Sequence, residues 1–127
     1  IGTNIKGTRQ HEFCATMGES YGFDMASDIQ ELGKTDLVFA SEYFEHIVEP
    51  ITHLEEILET LNPKFLYVAN SFNTHSVGHF NHYSFEQDWL PASKLSELFN
   101  KKIQSHGYKK RNIKAWNNKP ALWSKDS

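Results

Sequence analysis

One stretch constrains this chain more than any other: residues 35–73, reading TDLVFASEYFEHIVEPITHLEEILETLNPKFLYVANSFN. It opens with the apolar run Leu37-Val38-Phe39-Ala40, whose length predicts a buried strand rather than a helix. A polar elbow follows, Ser41-Glu42-Tyr43-Phe44-Glu45-His46. From Pro50, the residues Ile51, Leu54, Ile57, Leu58 and Leu61 recur at helical spacing, with Glu55, Glu56 and Glu59 on the opposite face. Pro50 suits the first turn of that helix, and Asn62-Pro63 ends it. Phe65-Leu66-Tyr67-Val68-Ala69 then reads as a second buried strand. Strand, crossover helix and strand together make the building block of a parallel sheet.

In an open sheet of this kind, ligands lie beyond the carboxyl ends of the strands. Here that means Ser41–His46 and Asn70–His82, where polar and aromatic residues concentrate. The second segment holds His75, His79 and His82. Two readings compete for it: a three-histidine metal site, or a loop over a pocket. His75 and His79 stand four apart, as two ligands on one helical turn would. Gly78 and the Asn/Ser/Thr content favour a loop, so no metal is expected.

The run Asp36-Leu37-Val38, then Phe44-Glu45-His46, Leu54, Ile57, Leu61-Asn62-Pro63 and Leu66-Tyr67-Val68 resembles the central block of class I S-adenosylmethionine (SAM) dependent methyltransferases. Lys64-Phe65 stand where that family usually has two glycines. The resemblance covers the middle third closely and both ends loosely. It implies an α/β fold: a shortened Rossmann-like three-layer sandwich, with a mostly parallel sheet and a C-terminal antiparallel hairpin.

The resemblance also implies site residues. Residues 1–8, IGTNIKGT, stand where the family turns from its first strand into its first helix, which puts Gly2 and Thr3 at the cofactor. An acidic residue about 20 positions after a glycine loop accepts ribose hydroxyls in nucleoside-binding folds. Asp24, with Met25 beside it, lies twenty-two positions after Gly2. Asp28-Ile29 matches the pair that holds adenine in the family. Asp24 and Asp28 stand too close together for a helix between two strands, so two readings remain open. Either one strand–helix unit is cut away, or only one of these acids touches the ligand. Asp24 also fits a cap for Ser27, and Asp28 a turn residue before Leu32-Gly33-Lys34.

Ser41 and Glu42 occupy the end of the central strand, a cofactor position in the family. Base methyltransferases carry a proline-rich motif there, and its absence argues against a nucleic-acid base as acceptor. On the acceptor side the resemblance implies His46, His79 and Tyr83, the last two within His79-Phe80-Asn81-His82-Tyr83-Ser84. A histidine near neutral pKa serves as a base for a hydroxyl or amine.

The rest of the chain is read more simply. Arg9–Glu19 forms a short helix with Phe13, Cys14 and Met17 packed on the sheet, and Pro91–Ser105 forms the last crossover helix, stopped by Gly107. Tyr108–Trp116 and Pro120–Lys125 form two strands joined by Asn117-Asn118-Lys119, with Trp116 and Trp123 packed inside.

The 127 residues fit a single domain. The chain opens on Ile rather than Met, which is read as a native start lying upstream or removed, with part of a first strand. One cysteine, Cys14, rules out a disulfide within the chain and fits a reducing compartment. No apolar run approaches the ~18 residues of a membrane span, so a soluble cytoplasmic protein is expected, with no membrane partner. Charge is uneven: residues 1–93 hold four Lys/Arg and fourteen Asp/Glu, residues 94–127 nine and two. Such a basic third can meet nucleic acid, but a solvated face is the preferred reading.

The function expected is methyl transfer from SAM to an unidentified acceptor, a small molecule by preference. The alternatives are a SAM-binding or partner-binding module without chemistry, and a nucleic-acid methyltransferase. The sequence names neither the acceptor nor the oligomeric state.

Overall fold

A computed structural model describes residues 1–4, 6–26, 28–114 and 120–126. The chain divides into two compact units, Ile1–Lys34 and Thr35–Ser127.

The first unit is strand, helix, strand: β1 (Gly2–Thr3), α1 (Arg9–Tyr21) and β2 (Met25–Ala26). β1 and β2 run parallel, Gly2 opposite Met25 and Thr3 opposite Ala26. Thr8 caps α1, its hydroxyl accepting from the His11 amide at 3.1 Å. Gly22, at φ 77°, ends the helix in the left-handed conformation. Gly18 is the buried residue of α1, and its lack of a side chain is a packing requirement: a Cβ there would lie 2.6 Å from the Phe23 carbonyl. Phe13 is 65% exposed, so the expected packed stripe does not close over it. After β2, Asp28 caps a single 3-10 turn, Ile29–Glu31.

The second unit contains β3 (Leu37–Ser41), α2 (Pro50–Leu61), β4 (Phe65–Ala69), β5 (His82–Phe85), β6 (Asp88–Pro91), α3 (Leu95–Ser105), β7 (Tyr108–Arg111) and β8 (Ala121–Lys125). β3 and β4 pair in parallel from Leu37 opposite Phe65 to Ser41 opposite Ala69. The whole sheet runs β3-β4-β8-β7, with β8 antiparallel to both of its neighbours. The β7–β8 pair is the expected C-terminal antiparallel hairpin, and residues 112–120 are too few for the crossover of a dozen or more residues that a parallel return needs. Because β8 of that hairpin also pairs antiparallel with β4, the sheet is mixed, where a mostly parallel one was expected. The expected turn Asn117-Asn118-Lys119 and the packing of Trp116 lie outside the described residues.

The apolar face of α2 was legible in the sequence, and Ile51, Leu54, Ile57, Leu58 and Leu61 are all buried. They share the core with Leu66, Val68, Leu95, Phe99, Ile103 and Trp123. The two continuous apolar runs behave differently from expectation. Ala40, Leu66 and Val68 are buried, whereas Leu37, Phe39 and Phe65 on the opposite face are exposed. A strand covered on one face buries alternate residues, whatever its hydrophobicity. Tyr108 is buried beside this core and donates to the Pro63 carbonyl at 2.6 Å. Burial pushes its phenol up to about 12.

The β5–β6 hairpin has no counterpart in the sequence reading. Glu86 and Gln87, at φ 49° and 64°, form its tight turn, and His82 pairs with Pro91 across it. Pro91 thus ends a strand, and the helix expected from Pro91 begins at Leu95. Among the described residues, no helix is long and apolar enough to cross a membrane.

Candidate functional site

The parallel pair β3–β4 sets two carboxyl ends side by side. Past the last pair, Ser41 opposite Ala69, the Glu42 amide still donates to the Ala69 carbonyl at 2.9 Å. Glu42 then leaves the strand at φ 51°, turning the chain into a 3-10 turn, Phe44–His46. Phe44 anchors that turn: it is fully buried, with its ring edge-on to Phe99 at 4.8 Å between centroids.

The next residue, Glu45, is also fully buried. Its Oε1 accepts from the Ser71 amide at 3.2 Å, which ties the elbow after β3 to the loop after β4. Its Oε2 is buried without a hydrogen-bond partner. Tyr83, fully buried on β5, donates its hydroxyl to the Glu45 carbonyl at 2.8 Å and accepts from the Phe80 amide at 3.4 Å. Burial raises its phenol above the ordinary value.

Two histidines meet beside Glu45. His46 Nδ1 lies 3.0 Å from the Gly78 carbonyl, and His79 Nδ1 lies 2.9 Å from the Asn73 carbonyl. A carbonyl only accepts, so each Nδ1 carries the proton and each Nε2 keeps its lone pair when the ring is neutral. The two rings stand edge to face, 4.8 Å between centroids. Gly78 is required here on two counts: its φ is 80°, and a Cβ would lie 2.9 Å from His46 Nδ1. Asn73 shapes the same loop, its Oδ1 accepting from the His75 amide and the Ser76 hydroxyl.

Glu42, Glu45, His46 and His79 each offer one donor atom, and these atoms all lie within 4.8 Å of one another. The sequence reading had picked out Glu42, His46 and His79 separately. It did not join them to Glu45, although the spacing Glu42-x-x-Glu45-His46 was a usable signal. Of the three histidines weighed as ligands, the cluster takes His79, while His75 and His82 are exposed outside it.

A second group, Glu55, Glu59 and His106, is equally compact. Its cation is already present. Lys102 Nζ sits 2.9 Å from Glu55 Oε1, and this hydrogen bond, first among several causes, lowers the Glu55 pKa.

The N-terminal unit holds the other expected residues. The Gly2 amide donates to the Asp24 carbonyl at 2.7 Å, and a Cβ on Gly2 would lie 2.8 Å from Met25 Sδ. Asp24 and Met25 border an open groove of about 390 Å³, with Ala15, Gly18, Glu19, Gly22 and Phe23. Asp24 and Thr3 are exposed. Asp28 and Ile29 do not line the groove, and Asp28 Oδ1 accepts from the Gln30 amide at 3.0 Å.

Much of the basic C-terminal third is engaged within the chain. Lys109 and Arg111 both reach Asp126 at 2.6 Å, and Lys101 reaches Glu97 at 2.6 Å. Lys125 bonds Asn62 Oδ1 and sits 4.6 Å from the centre of the Tyr108 ring.

Among solved structures, the chain is similar to the N-terminal domain of EvdMO1 with SAH bound: TM-score 0.50, 14% identity, 96% of this chain and 61% of that one. The same domain in the presence of SAH and D-fucose gives TM-score 0.49 and 13% identity over 98% and 66%. At such identities the likeness to the first structure is one of fold, an α/β fold, and this chain spans about three fifths of its length. No family model matches the chain, and no curated protein matches it.

Proposed function

We propose that this chain binds SAM and moves its methyl group to an acceptor, a small molecule in preference to nucleic acid. The observation that carries the reading is the in-register parallel pair β3–β4. Its adjacent ends at Ser41 and Ala69 open onto two polar loops that Glu45 ties together. Likeness in fold to a domain solved with SAH, the demethylated form of SAM, supports it. We read the fold as a shortened Rossmann-like one. β1-α1-β2 and β3-α2-β4 are each strand–helix–strand with parallel partners, and one 3-10 turn stands between β2 and β3.

The residues present fit a nucleoside. Asp24 is an exposed carboxylate at the rim of a groove within the usual size range of ligand sites, and two vicinal hydroxyls can donate to it. Within the N-terminal unit the candidates for that role are Gly2, Thr3, Asp24 and Met25, with Asp28 and Ile29, outside the groove, for the base. Within the larger unit, taken by itself, the cofactor candidates are Ser41 and Glu42 at the end of β3.

SAM supplies an electrophilic methyl on a sulfonium, which already carries a good leaving group. The chain's own task is alignment of the acceptor, exclusion of water and, where the acceptor loses a proton, a base. His46 and His79 carry that side of the reading through their Nε2 lone pairs. Tyr83 supports them from below as a strut on the Glu45 backbone.

Calorimetry with SAM and with SAH, followed by transfer of labelled methyl into a cell extract, tests the reading. Binding of both, weakened by Asp24→Asn, and a labelled product are expected. Binding with no product in any extract would leave a SAM-binding module, and no binding of either would end the proposal. Product in the nucleic-acid fraction, with affinity falling steeply with salt, would move the acceptor to RNA or DNA.

A further inference from the structure

We propose that Glu42, Glu45, His46 and His79 form a binding site for one divalent first-row transition ion. Three independent features converge on it. The four donor atoms lie within 4.8 Å of one another, and bonds of about 2.0–2.2 Å bring donors to roughly that spacing with small side-chain rotations. Both histidines hold the tautomer a metal ligand needs, Nδ1–H given to a backbone carbonyl and Nε2 free. Glu45 is fully buried, has one oxygen on the Ser71 amide and leaves the other without a partner.

That last feature decides the matter. A buried carboxylate oxygen with no donor is costly, and buried charges are paired or coordinate metals. Among the described residues, no Lys or Arg forms an ion pair with Glu42 or Glu45. The Glu55, Glu59 and His106 group shows the contrast, since Lys102 pairs with its Glu55. A bound cation would meet the orphan oxygen of Glu45 and offset two like charges at once.

The donor set selects the ion. Two imidazole nitrogens and two carboxylates suit zinc, manganese, iron or cobalt, whereas calcium and magnesium favour oxygen alone. Glu42 and His46 are exposed, so the ion keeps a solvent-facing side for an oxygen ligand. If the methyl-transfer reading also holds, the ion takes the Nε2 lone pairs otherwise read as bases, and an acceptor hydroxyl would bind on that side.

The site is tested on the full chain, without an affinity tag and without SAM, so that its failure is separate from failure of the methyl-transfer reading. After chelator dialysis, calorimetry with MnCl2 and ZnCl2 should give one ion per chain, with CaCl2 at least tenfold weaker. Co(II) should develop a visible absorption spectrum. His79→Ala and the exposed Glu42→Gln should each weaken binding at least tenfold with the far-ultraviolet circular dichroism unchanged, and His106→Ala should leave it intact. Absence of stoichiometric binding by any of these ions would overturn the proposal. So would binding that survives both site variants, or binding lost in His106→Ala.

Discussion

The two units of this chain are built on the same plan and held by different forces. Each runs strand, helix, parallel strand. In the larger unit β3 and β4 are five residues long, and α2 buries Pro50, Ile51, Leu54, Ile57, Leu58 and Leu61. In the N-terminal unit the strands are two residues long, and Gly18 is the buried residue of α1. Burial stabilises α2, whereas caps and backbone hydrogen bonds set the limits of α1. A shared topology therefore does not imply shared stability, and the region that supplies Asp24 is the less densely built of the two.

Leu54→Ala should have the largest effect, a loss of about 2–5 kcal/mol, because it empties a fully enclosed site on α2. Chemical denaturation followed by the tryptophans would measure it; a loss below that range would place the strength of the larger unit elsewhere than the α2 face. Tyr83→Phe should cost about 1–2 kcal/mol by removing the hydroxyl that donates to the Glu45 carbonyl. Its SAM affinity should stay at the wild-type value, and a parallel fall in affinity would make Tyr83 a contact residue rather than a strut.

Thr8→Ala should cost about 1 kcal/mol through loss of the α1 cap. Hydrogen exchange should then speed in the α1 amides and remain slow in α2; equal acceleration in both would break the contrast between the units. The smallest effect is electrostatic. Hydrogen bonds from Lys109 and Arg111 hold the Asp126 carboxyl below its ordinary value of 3.8. The stability it contributes is present above that value and is lost as pH falls through the lowered one. Asp126→Asn should flatten that part of an acid titration slightly, and high salt should do the same.

Several elements were legible from residues alone. Pro50, the spacing of Ile51 to Leu61 and the Asn62-Pro63 stop marked α2 to its ends, and Phe65–Ala69 marked β4, because period and punctuation are local properties. The β5–β6 hairpin was not legible, since its turn is Glu86-Gln87, two residues seldom found at positive φ. The exposure of Phe39 was not legible either: a run of four apolar residues carries no record of which face will be covered. At the candidate site, His46, His79 and Glu42 drew notice by type and place. Glu45 drew notice as part of Phe44-Glu45-His46, but its burial was not legible, because a glutamate after a phenylalanine gives no sign of being buried.

By itself, then, the sequence determined which segments are helix or strand in the central block, and that polar residues gather after β3 and β4. Those features depend on neighbours within a few positions. The tertiary structure alone decided that β8 pairs antiparallel with β4, and that Glu45 is buried against the Ser71 amide. It also decided that His46 and His79 meet across 33 residues with both Nδ1 protons committed to carbonyls. Such arrangements depend on which distant groups are excluded from water together, and no local pattern of residues encodes that.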